Sequence, residues 1–200
     1  MEKKKSNVKF RGIGLIVVVV ALVLYVVSVY NGVIQHDEAV MNSWGNVETQ
    51  YQRRLDLVPN LVSTVKAYAD HERETFDMVV EARAKATQVT IDPSQLNAEN
   101  VRQFEQVQEQ LSGAIARLLA VSEAYPELKA SENFLILQSQ LEGTENRISV
   151  ARRAFNKSTN DYNRYVRTFP NNVIVGVFGF AKKDYFEADT GAEKAVDVQF

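Results

Sequence analysis

The sequence contains no cysteine and only two histidines, His36 and His71. The absence of cysteine excludes a disulfide framework, a thiolate metal site and a cysteine nucleophile. Two isolated histidines leave little for a histidine-rich metal centre or for acid–base catalysis by imidazole. The sequence also lacks a phosphate-binding glycine loop, a nucleophile elbow and an EF-hand loop. We therefore expect no catalytic residue, no metal site and no cofactor, and we predict that the protein is not an enzyme.

Charge is distributed unevenly along the chain. Residues 1–34 contain five Lys or Arg and one acid, whereas the remaining residues contain 18 Lys or Arg and 24 Asp or Glu. Binding to a phosphate backbone needs clustered positive charge, which this acidic part does not offer. Nucleic acid is therefore not an expected partner.

An uncharged apolar run extends from Ile13 to Tyr30. A helix of this length spans about 27 Å, close to the hydrocarbon thickness of a bilayer. The run has no small-residue cleavage site, and Tyr25 and Tyr30 lie where interfacial aromatic residues are common. These features predict a retained transmembrane helix over residues 13–30, with the lipid bilayer as a partner.

The flanks of this segment predict its orientation. All five basic residues that precede it lie in the short N-terminus, residues 1–12, and the first basic residue after it is Arg53. Positively charged flanks stay preferentially in the cytoplasm. We therefore expect a cytoplasmic N-terminus in the cell membrane and an extracytoplasmic position for the residues after 30.

Three long patterns of apolar residues at steps of three and four predict helices. The first is continuous from Val40 to Val80, and the second covers 101–122. The third, 134–169, keeps a 3.5-residue repeat typical of a coiled coil or a bundle seam. Asp92 is expected as the N-cap and Pro93 as the first residue of the second helix, while Ser131 precedes the third.

Short connections at 87–94 and 125–130 predict that consecutive helices run antiparallel. The predicted fold is therefore all-α: an N-terminal transmembrane helix followed by an elongated antiparallel up-down helical bundle over residues 31–170. Residues 171–200 are left as an apolar segment and a polar C-terminal tail that we expect to be mobile.

Pro59 interrupts the first pattern. It has no amide proton and its ring clashes with the carbonyl of Leu55, so a kink or break is expected near residues 57–60. One interpretation is a bend that lets a long helix follow its neighbours. The other is a hinge that transmits motion from the membrane.

Two polar clusters and one apolar segment are candidate binding surfaces. Arg53, Arg54 and Asp56 lie beside Pro59, where they either bridge helices or meet an acidic partner or lipid headgroups. The apolar segment 173–180 is interpreted as a strand, a loop packed on a helix, or a second contact with the membrane, being too short to span it. The second polar cluster consists of Asn156, Asn160 and Asn163. It predicts either interhelical hydrogen bonds or binding of a partner.

Several stretches together resemble the LemA family of bacterial membrane proteins. They lie between the apolar run and about Glu187, and they are 53–62 (RRLDLVPNLV), 65–72 (VKAYADHE), 81–83 (EAR), 125–130 (YPELKA), 133–134 (NF), 137–138 (LQ), 141–146 (LEGTEN), 151–152 (AR), 162–163 (YN), 169–170 (FP) and 179–180 (GF). The resemblance implies a single-pass membrane protein with an antiparallel helical-bundle domain. It implies no enzymatic activity and supplies no catalytic residues.

The leading hypothesis is an interaction or scaffold protein of the cell envelope that docks another membrane or envelope protein. Arg53, Arg54, Asp56 and the segment 173–180 are the expected surfaces. The alternative is a ligand-sensing or signalling domain coupled to the membrane helix, which predicts a pocket between helices. An enzyme would require clustered titratable groups in a cleft.

Overall fold

The computed structural model describes residues 3–93 and 96–186, with side chains from residue 12 onward, and every regular element in these ranges is helical. The predicted all-α helical bundle is confirmed. A 3₁₀ turn, Val121–Ala124, follows the third of the helices, which are α1 (Lys3–Lys66), α2 (Arg73–Gln88), α3 (Ala98–Ala120), α4 (Pro126–Lys129), α5 (Glu132–Arg167) and α6 (Asn171–Phe178).

The described residues fall into two compact units, and α1 and α5 contribute to both. One unit takes its residues from Met1–Val40 and Asn160–Lys182, and the other from Met41–Thr159 and Lys183–Phe200. We call them the first unit and the second unit. Segments 31–40 and 160–170, which the sequence analysis placed in the bundle, belong to the first unit.

The second unit is a four-helix bundle made by α2, α3 and parts of α1 and α5. Within it, Trp44 contacts Phe155, and Arg54 binds Glu145, so α1 and α5 run antiparallel. Short connections at 67–72 and 89–97 join α1 to α2 and α2 to α3, which makes these neighbours antiparallel as well. The up-down arrangement is confirmed, but the bundle has one helix more than the three patterns predicted.

The additional helix arises from a turn inside the first pattern. The prediction of a continuous helix from Val40 to Val80 is wrong, because α1 ends at Lys66 and the chain reverses before α2. The turn is closed by backbone hydrogen bonds from the Glu72 amide to the Ala69 carbonyl, 3.2 Å, and from the Arg73 amide to the His71 carbonyl, 2.9 Å. Pro59, by contrast, lies inside α1, so the chain does not break there.

The start of α3 also differs from the prediction. Asp92 and Pro93 lie before the helix, and Asn97 is the N-cap, its side chain accepting a hydrogen bond of 2.9 Å from the Asn100 amide. A side-chain acceptor at this position satisfies one of the free amides of the first turn. The predicted start of the third helix is confirmed, because α5 begins directly after Ser131.

The core of the second unit is apolar and closely packed. Leu61, Leu111 and Leu118 are fully buried at its centre. Four aromatic rings extend this core: Trp44 contacts Phe104, Phe155 and Phe186 at centroid distances of 5.2, 5.4 and 5.6 Å. Phe186 lies in the segment expected to be a mobile polar tail, and its burial corrects that expectation for the described part of the segment.

The first unit contains the apolar part of α1. Within Gly12–Lys66 this helix is long and apolar enough to cross a membrane, and its apolar side chains are exposed, Leu15 by 68%. Exposed apolar side chains over this length suit contact with lipid. The segment 173–180 is neither a strand nor a loop: most of it forms α6, whose Val175 is buried.

Candidate functional site

Arg54 lies inside the second unit rather than on its surface. On α1 it shares the core-facing side with Val47, Tyr51 and Val58, and only 2% of it is exposed. Arg53 and Asp56, by contrast, are exposed. The proposed surface of Arg53, Arg54 and Asp56 is therefore corrected for Arg54, because the helical period turns adjacent residues about 100° apart.

The Arg54 guanidinium joins three helices. Its Nη1 donates to Ser112 Oγ, 2.6 Å, and to Glu145 Oε1, 2.9 Å. Its Nη2 donates to the Gln108 side-chain oxygen, 2.6 Å, and to the Gln108 carbonyl, 3.2 Å. Charge-assisted bonds of this kind offset the cost of removing the guanidinium from water. Of the two interpretations of the arginines, bridging between helices holds for Arg54.

A second ion pair lies near this network. Arg152 of α5 binds Glu105 of α3 at 2.9 Å, and both side chains are largely buried. Burial raises the pKa of the nearby Tyr51 above its usual value, although the positive charges of Arg152 and Arg54 oppose the shift. Tyr51 therefore stays neutral at physiological pH and has the Arg54 guanidinium over its ring, 4.9 Å from the centroid.

A cleft of about 670 Å³ opens between α1, the end of α2 and α3. We call it the α1–α3 cleft. Tyr51, Leu55 and Phe104 are buried residues at its base, and Gln52, Arg53 and Asp56 are exposed at its edge. Its lining is completed by Gly45, Glu48, Thr49, Gln50, Ala86, Thr87, Val89, Thr90 and Gln108.

The edge of the α1–α3 cleft carries both charge signs. Asp56 accepts a hydrogen bond of 2.8 Å from Gln52 Nε2. Partial burial raises the pKa of Glu48 above its usual value. An apolar base with a few polar groups at the rim is typical of binding sites.

The cleft offers binding groups rather than a recognisable catalytic set. Glu48 and Asp56 are its carboxylates, and neither of the two histidines lines it. Among the described residues there is no group of three or more His, Cys, Asp or Glu that could hold a metal ion. The arrangement supports hydrogen bonding and ion pairing with a bound molecule.

The remaining polar candidates lie elsewhere. The side chain of His71 is 91% exposed in the turn before α2. The Asn156 side chain holds the backbone of Phe186 through two hydrogen bonds, 3.0 Å to its carbonyl and 2.9 Å from its amide. Asn156 therefore fixes the segment after α6, not a neighbouring helix as expected.

Part of the α1–α3 cleft was not predicted from the sequence. Gln52 and Asp56 stand one helical turn apart on the polar side of α1, a spacing that marks a common exposed face. Thr87 lies in the last turn of α2, and Thr90 follows the end of this helix at Gln88. The sequence pattern contains no sign of that contribution.

Comparison with known proteins identifies a family and several relatives. The model of the LemA family matches residues 43–200. Magnetosome protein MamQ 1 of Paramagnetospirillum magneticum is 24% identical over 84% of this chain and 68% of its own length, and Magnetosome protein MamQ of Magnetospirillum gryphiswaldense is 23% identical over 84% and 69%. Protein LemA of Metamycoplasma hominis is 20% identical over 84% of this chain and 73% of its own. With a family match over most of its length, an all-α bundle and an apolar N-terminal helix suited to a membrane, this chain belongs to the LemA family.

Proposed function

We propose that this protein is a non-enzymatic docking protein of the bacterial cell envelope, anchored by residues 13–30, whose α1–α3 cleft receives a segment of a partner protein. The cleft carries the proposal. Arg54 is engaged inside the bundle, whereas Arg53 and Asp56 remain exposed beside an apolar base. Interfaces commonly combine an apolar, aromatic centre with a polar rim.

The experiment uses the absence of cysteine. A single cysteine at Thr49, an exposed lining residue, carries a photo-crosslinker in living cells. R53A/D56A should abolish a defined adduct formed by the otherwise native protein. The matched control is R153A/E142A on α5, since Glu142 accepts from Gln138 as Asp56 accepts from Gln52. Equal adduct in both double variants, or none in the parent, would contradict the proposal.

A ligand-sensing function is the second candidate, and the same cleft favours it. Its volume lies within the range of small-molecule sites, about 300–1,000 Å³. Native mass spectrometry of the purified chain distinguishes the two candidates. A small molecule retained by the parent and by R153A/E142A but lost from R53A/D56A supports sensing, whereas a cell-derived protein adduct with no retained molecule supports docking.

We also propose that the second unit lies on the extracytoplasmic side. Five basic residues before the apolar run, with none between it and Arg53, support this orientation. Single cysteines at Ser6 and Gln88 are treated with a membrane-impermeant thiol reagent on intact cells. Labelling at 88 alone agrees with the proposal, and labelling at 6 alone reverses it.

A further inference from the structure

We infer that α6 is a second membrane-contacting element, which enters the lipid beside the transmembrane part of α1. This inference concerns the first unit alone and is independent of the proposed docking function and of the direction in which α1 crosses the membrane.

The composition of α6 is the first support. Asn171–Phe178 contains no charged residue, and its sequence is NNVIVGVF. Basic residues bracket it, Arg164 and Arg167 at the end of α5 and Lys182 beyond Gly179. An apolar helix between cations is typical of a segment whose flanks contact phosphate headgroups.

Exposure of its apolar side chains is the second support. Val175 is buried within the first unit, but Val173 is 60%, Val177 81% and Phe178 49% exposed. Phe169, just before the helix, is 77% exposed. Exposed apolar side chains that lie together on a protein surface mark a site of contact with another protein or with a membrane.

The contacts of α6 identify lipid as the occupant of that surface. The Tyr25 hydroxyl donates to Asn171 Oδ1 at 2.9 Å, and the Tyr30 ring contacts Phe178 and Phe180 at 5.2 and 5.8 Å between centroids. Tyr25 and Tyr30 belong to the apolar run that crosses the membrane. The exposed face of α6 is therefore continuous with a surface already in lipid.

The backbone of this region is suited to an apolar environment. The amides of Asn172 and Val173 donate to the carbonyls of Thr168 and Pro170 at 3.0 and 3.2 Å. At the other end, Gly179 adopts a left-handed conformation, φ 76°, and the Phe180 amide donates to the Val175 carbonyl at 3.3 Å. Backbone groups in lipid must be satisfied internally, and these are.

The depth of insertion follows from length. Eight residues of helix extend about 12 Å, against about 30 Å of hydrocarbon, so α6 enters one leaflet only. Since it packs beside Tyr25 and Tyr30, that leaflet is the one on the C-terminal side of the span.

The test measures depth with single nitroxide labels on the full-length, otherwise cysteine-free chain. V177C is labelled and reconstituted into vesicles of phosphatidylethanolamine and phosphatidylglycerol. V20C in the apolar run is the lipid control, and V80C, 58% exposed on α2, is the water control. Oxygen, which concentrates in lipid, and a water-soluble nickel chelate then compete to relax the label in spin-resonance spectra.

We expect oxygen to relax V177C much more strongly than V80C and nickel to relax it much less, with V20C, near the middle of the apolar run, as the upper limit for oxygen. Relaxation by nickel equal to that of V80C would place the face in water and overturn the inference. Low access to both reagents with spin–spin broadening would show a second copy covering the face, which also overturns it. Val177 is so exposed that its replacement leaves the packing intact, and V173C gives an independent reading.

Discussion

Arg83 donates a hydrogen bond from its Nε to the Leu55 carbonyl at 3.1 Å, and this bond takes the place of one that Pro59 cannot make. In an uninterrupted helix the carbonyl of residue 55 accepts from the amide of residue 59. Pro59 has no such amide, so the carbonyl of buried Leu55 would lack its helical donor. A side chain from α2 supplies it instead, which joins two stretches quoted for the family resemblance, 53–62 and 81–83.

The first prediction concerns this replacement. R83A should reduce the free energy of unfolding by about 1–3 kcal/mol, because it removes the donor to a buried carbonyl. In a P59A background the new amide at position 59 can bond to Leu55, so the effect of R83A should become much smaller. Urea unfolding followed by Trp44 fluorescence gives the four free energies. An equal loss in both backgrounds would show that Arg83 acts through other contacts.

The second prediction compares two adjacent arginines. R54A should reduce the free energy of unfolding by about 2–3 kcal/mol, since it removes charge-assisted bonds to α3 and α5. R53A, at an exposed position, should change it by less than about 0.5 kcal/mol. The same urea experiment measures both. Similar losses for the two variants would mean that Arg54 is not the structural member of the pair.

The helix types followed from the sequence, but one turn did not. The residues on both sides of the reversal face the same core, namely Val65, Ala69, Phe76 and Val79. The spacing of apolar residues therefore continues through the turn. The gap between Ala69 and Phe76 is filled with polar residues, and that gap was the available sign of a turn. The break expected at Pro59 does not occur, because Arg83 donates to the Leu55 carbonyl that the proline leaves without a helical donor.

The candidate site was predictable only in part. Position 54 stands three residues after Tyr51 and four before Val58, so the helical period already placed Arg54 on the core side. The prediction that Arg53 and Arg54 form one surface did not take the helical period into account. The cleft itself depends on where α2 ends and on how α3 packs, and these are tertiary features that periodicity does not encode.

The third prediction concerns Phe186. F186A should lower the free energy of unfolding by about 3–5 kcal/mol, because it empties a site between the rings of Trp44 and Phe155. Trp44 is the single tryptophan, so its emission should also shift to longer wavelength as water reaches the ring. Y68A removes an aromatic side chain that is 42% exposed and serves as the control. An unchanged spectrum and stability would place Phe186 outside the aromatic cluster in solution.

The fourth prediction concerns alkaline pH. Burial, and to a smaller degree the negative charge of Asp37, raises the pKa of Tyr162 to about 12, and its hydroxyl donates to the Ala181 carbonyl at 2.9 Å. An unfolded tyrosine ionises near about pH 10. The folded state thus favours the neutral phenol. Its stabilisation is complete below about pH 10 and is lost as the pH rises through about 12.

The measurement is the tyrosinate absorbance of the native chain minus that of Y162F across an alkaline titration in detergent. The difference should show one phenolate that appears near pH 12, about two units later than the same phenolate in urea-unfolded protein. Y162F should also lose less stability over this range, because it has no phenol to ionise. A phenolate that appears near pH 10 in both states would mean that Tyr162 is hydrated, and the contact between the end of α5 and Ala181 would then not hold in solution.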